Sequence, residues 1–266
     1  MSGDLGTSAR TPAKADQGPP RWGFGEATVG WIAAQFAATI TITGILSLGF
    51  TLSRPQRGGG FLGRAVAQNR TGEFEDNALP LFWQMLIQVP SWIVMLGVTW
   101  IIAGTIGRAR PGWSLRGEPL DVARGMGSGF VLQIPIVIIV ATIVMLIFGE
   151  QIPSARPQAL VDAINNPLDL IALVGVVVVG APIVEELFYR GVVQPSLVRR
   201  FGPIVGIGIT GVIFGAVHFS LVDLAPLSVV GIGFGILAHK YGRLLPAIVA
   251  HMTFNAVALI AVLAAA

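Results

Sequence analysis

Six side chains that ionise or hydrogen-bond strongly stand inside long apolar runs in the last third of this 266-residue chain: Glu185, Glu186, Arg190, His218, His251 and Asn255. An ionisable group at bilayer depth costs roughly 2.5 to 3.5 kcal/mol on insertion scales, so such groups are functional candidates by default. Read as a helix, the segment from Ala181 to Arg190 puts Glu186 four residues before Arg190, the favourable order for an acid and a base on one face. Glu185 is five residues from Arg190, about 140° round the helix. Glu186 is therefore neutralised, and Glu185 is left without that partner. Phe214 precedes His218 by one turn, and His251 and Asn255, also four apart, share one face of the last apolar run.

A carboxylate and an imidazole can activate water, while an imidazole and an amide can stabilise an oxyanion. Brought together, these groups would hydrolyse an acyl or peptide bond. Covalent catalysis is disfavoured, because the chain has no cysteine and contains neither Gly-x-Ser-x-Gly nor His-Glu-x-x-His. Activated water remains. Each motif alone also has a structural reading: charges closing a helix at the interface, a hydrogen-bonded packing histidine, or a polar contact between helices. Taken as a set they admit two further functions, a proton-coupled carrier with a Glu185, His218 and His251 relay, and a non-catalytic membrane scaffold. His239, beside Lys240 and Tyr241, reads as interfacial, and Asp223 as a cap for the segment after it.

The elements that must position these groups follow from composition. Hydrophobic residues make up 53% and charged residues 12% of the chain, and the mean hydropathy is +0.75. So few charges cannot cover a water-facing surface. The expected fold is an all-α polytopic transmembrane helix bundle of about seven spans, at 29–50, 81–103, 127–148, 168–187, 203–219, 226–239 and 244–264, with a polar cavity between the late helices. Residues 1–28 read as a disordered cytoplasmic tail, 29–160 as amino-terminal transmembrane helices and 161–266 as the motif-bearing core. A net charge of +3 gives no reason to expect nucleic acid; the expected partners are membrane lipid and a membrane-associated peptide or protein. Lys and Arg favour the side bearing the tail and the second, fourth and sixth loops, which places the amino terminus in the cytoplasm. Fifteen Arg against two Lys suggests a GC-rich bacterial source, hence a bacterial inner membrane.

In chain order, Glu185-Glu186-x-x-x-Arg190, Phe214-x-x-x-His218 and His251-x-x-x-Asn255 resemble the three motifs of the CAAX protease and bacteriocin-processing family of intramembrane proteases, also called the Abi family, which includes the type II CAAX prenyl endopeptidase. The match covers about 80 residues, and the first 160 show no feature that joins it. The resemblance implies a helical bundle around a cavity in which Glu185 and His218 activate water and His251 and Asn255 stabilise the oxyanion. Glu186 and Arg190 would support the site, and Phe214 would pack beside it. No cofactor is favoured. Zinc is the alternative, with Glu185, His218 and His251 as its ligands.

Overall fold

The computed structural model describes residues 81–101, 117–149 and 156–266, with scattered positions between Gly25 and Gly44. The expected tail, and all but those positions of the first expected span, lie outside the described residues. Among the described residues every regular element is helical: α1 (Leu81–Ile101), α2 (Pro119–Phe148), α3 (Arg156–Asp162), α4 (Pro167–Ala216), α5 (Leu221–Tyr241) and α6 (Leu245–Ala265). All except the short α3 are long and apolar enough to cross a bilayer. The protein is an all-α membrane bundle.

Three boundaries differ from the sequence expectation. The third expected span begins earlier, at Pro119. The fourth and fifth expected spans share α4, which turns sharply at Gly202, where φ is 78° and ψ 169°. That conformation is open only to glycine, and Pro203 follows it with no N–H to continue the ladder. The sixth expected span is longer than its prolines suggested. Pro226 lies inside α5, close to its start, and Ser220, not Asp223, is the cap: its hydroxyl accepts from the Asp223 N–H at 3.3 Å.

Prolines also set the helical register. Pro135 sits in a π-helical turn of α2, Leu132–Ile136, and Pro182 lies two residues past the end of a second one in α4, Val174–Gly180. A proline ring clashes with the carbonyl four residues back, and a widened turn relieves the clash.

Small residues let the late helices touch. A Cβ on Gly211 would come within 2.8 Å of both the Ser228 carbonyl oxygen and the Ile232 nitrogen of α5, so this crossing tolerates only glycine. The buried core lies beside that contact, around Phe188, Leu197, Phe214, Val230, Phe234 and Ala250. Ile204 and Leu221, both 89% exposed, face outward, as lipid-facing side chains must.

Two buried carboxylates clamp the bundle. Asp169 accepts from the Phe82 N–H at 3.0 Å, from Asn165 N at 3.1 Å and from Asn166 Nδ2 at 2.8 Å, tying the start of α1 to the start of α4. Asp121 accepts from Arg243 Nη2 at 2.8 Å and Nε at 2.5 Å, tying α2 to the loop between α5 and α6. The hydrogen bond to Asp121 is the main reason the Arg243 guanidinium holds its proton even more firmly than usual; burial opposes it.

Candidate active site

Glu186 and Arg190 form the buried base of the site. Arg190 Nη1 donates to Glu186 Oε1 at 2.7 Å with both side chains fully buried, and Nη2 donates to the Gly231 carbonyl of α5, also at 2.7 Å. The guanidinium lies 4.8 Å from the ring centre of Phe214 and 5.5 Å from that of Phe234. Burial of this charge is offset by a carboxylate, a carbonyl and two aromatic faces.

His251 of α6 joins the same carboxylate. Its Nδ1 is 3.0 Å from Glu186 Oε1, and because a carboxylate paired with arginine can only accept, Nδ1 carries the proton. The ring stacks on Phe234 at 4.7 Å and meets the edge of Phe214 at 5.6 Å. Thus held, it points Nε2 toward Glu185, whose Oε2 is 4.0 Å away. Glu185 is a quarter exposed while Glu186 is fully buried, the division the helical spacing predicts.

His218 stands just past the end of α4 and not within a helix: Val217 and His218 form a turn, with the His218 N–H on the Gly215 carbonyl at 3.3 Å. Its Nδ1 lies 2.8 Å from the Phe214 carbonyl, which can only accept, so Nδ1 is protonated and Nε2 is the basic nitrogen. Phe214 is central, its ring in contact with those of Tyr189, His218, Phe234 and His251. Asn255 Nδ2 donates to the Val177 carbonyl at 2.7 Å, which fixes the amide's orientation.

Glu185, His218, His251 and Asn255 line one cavity of about 300 Å³, together with Phe214. Residues 167–257 match the family "Type II CAAX prenyl endopeptidase Rce1-like". The motif-bearing region is similar to that CAAX protease family. The chain is also 26% identical, over 230 residues covering 85% of it and 83% of the relative, to a Bacillus subtilis (strain 168) protein named "Putative membrane peptidase YdiL". No solved structure matches it.

In this region the donor set for zinc is not assembled: among the described residues no three His, Asp or Glu side chains stand close enough together to hold a metal ion. Glu185, His218 and His251 share the cavity wall without converging as ligands, and no step below is routed through a metal.

The other wall comes from α1, which contributes Gln84, Gln88 and Trp92. The sequence reading assigned nothing there. The signal was present, since two amides and an indole spaced by four residues form one polar stripe on an otherwise apolar span. Asp121 and Asp169, buried outside the motifs, were also passed over as charges within or beside apolar segments.

Proposed function

We propose that this protein is a membrane endopeptidase that hydrolyses a peptide bond of a membrane-associated or lipidated substrate with activated water. The observation that carries the proposal is the convergence of Glu185, His218, His251 and Asn255 on one cavity. The family match and the peptidase relative support the reaction class.

Glu185 is the general base. Its carboxylate, sharing the cavity with His218 Nε2, takes a proton from water as the water oxygen attacks the scissile carbonyl carbon. The carbonyl oxygen becomes an oxyanion facing His251 and Asn255. His251 donates from Nε2 as an imidazolium, its Nδ1–H resting on the Glu186 carboxylate that compensates the charge, and Asn255 offers the N–H not engaged with Val177. When the intermediate collapses, Glu185 returns its proton to the leaving nitrogen as the C–N bond breaks. Glu186 and Arg190 hold His251 in place and touch no reacting atom.

The test is cleavage of a quenched, membrane-anchored peptide library by purified protein in lipid. General-base participation is worth about 10²- to 10⁴-fold, so Glu185→Gln and His218→Ala should each lose at least a hundredfold. Cleavage at the wild-type rate by either variant sinks the scheme. Ligand-dependent flux in liposomes without cleavage of any peptide points instead to a carrier.

A further inference from the structure

The amide of Asn255 is held by a carbonyl that has no business being available inside a helix. In the π-turn of α4 the Ala181 N–H donates to the Val176 carbonyl, five residues back. The Val177 carbonyl could then be reached by two helical donors only: Ala181, four residues on and already engaged, and residue 182, five residues on. Residue 182 is proline, which has no N–H. Whether the next bond follows the π or the α register, Val177 is passed over. An orphaned carbonyl in an apolar setting demands a donor, and Asn255 Nδ2 supplies it at 2.7 Å.

We infer that Pro182 is a positioning residue: by withholding one backbone hydrogen it leaves the Val177 carbonyl free to anchor Asn255, so that the remaining amide N–H faces the cavity. Pro182 is itself buried and is not among the residues lining the cavity. The consequence for catalysis rests on the proposed endopeptidase reading; the exchange of hydrogen bonds does not.

The decisive comparison places alanine or lactic acid at position 182 of the full-length protein. Lactic acid carries the side chain of alanine but an ester oxygen in place of the N–H, so it removes the ring and preserves the missing donor. In wild type, Asn255→Ala should lower the unfolding midpoint in detergent by about 2 to 4 °C, because a shielded carbonyl loses its donor. In the Pro182→Ala background the carbonyl is satisfied by the new N–H, and the same change should cost less than about 1 °C. In the lactic acid background the full shift should return. On a membrane-anchored peptide that wild type cleaves, Pro182→Ala should lower kcat roughly tenfold or more with KM within about twofold, and lactic acid should restore kcat.

An equal Asn255→Ala shift in all three backgrounds overturns the inference. So does equal loss of folding or of kcat with alanine and with lactic acid, since the ring would then be what the site needs. If Asn255→Ala cleaves as well as wild type, the oxyanion assignment fails, and the unfolding cycle still decides the role of Pro182.

Discussion

Two adjacent glutamates of one helix do different work because 100° of rotation separates them. Glu186 is wholly enclosed and satisfies both Arg190 and His251, so removing its charge leaves a guanidinium buried without its counterion. Glu186→Ala should cost about 3 to 5 kcal/mol, measured as a fall in the unfolding midpoint in detergent. Glu185→Gln, at a partly exposed position that supports no buried partner of this kind, should unfold within about 1 kcal/mol of wild type while losing cleavage. This asymmetry was legible in the sequence, because i,i+4 spacing selects Glu186 as the partner of Arg190 and leaves Glu185 aside. The contact between Glu186 and His251 was not, since 65 residues separate them and no local period links their helices. Phe219 adds a second test. It follows His218 with φ at 51°, a left-handed conformation that costs a bulky residue free energy, and its side chain is 85% exposed. Phe219→Gly should leave stability unchanged or raise it by about 1 kcal/mol, read from the same unfolding midpoint.

At the scale of the helix, the site depends on two contacts that bring distant elements to the cavity. The first is the glycine crossing between the late arm of α4 and α5. Gly211→Ala would drive a methyl against backbone atoms of α5, and overpacking of that kind costs about 1 to 3 kcal/mol. The second is the Asp169 clamp, which holds α1 as the cavity wall that carries Gln84, Gln88 and Trp92. Asp169→Ala frees the Phe82 N–H and loosens that wall, so KM for a cleaved peptide should rise several-fold while kcat changes less. A KM unchanged by the substitution would mean that α1 does not contact substrate. Helix existence was legible from apolar runs of span length. Register was not: the π-turns at Pro135 and before Pro182 and the bend at Gly202 arise from where prolines and glycines fall within a run, which a hydropathy reading treats as continuous.

At the scale of the molecule, basic side chains among the described residues gather at one end. The turn through Gly202, the loop between α5 and α6 and the start of α2 meet there, bringing together Arg124, Arg199, Lys240 and Arg243. His251 and Asn255 follow Leu245 by six and ten residues along α6, roughly 9 and 15 Å from that end at 1.5 Å per residue, which is middle depth in a hydrocarbon core of about 30 Å. By the positive-inside rule the basic end is expected on the cytoplasmic side. Since the natural chain has no cysteine, one introduced at a time reports its own side of the membrane. Lys240→Cys should react with an impermeant maleimide in inverted vesicles and not in right-side-out ones. Asn165→Cys, at the opposite end where α4 begins, should give the reverse pattern. Labelling of both from one face would contradict a bundle in which α4 carries the chain from one surface to the other, and with it the depth assigned to His251 and Asn255.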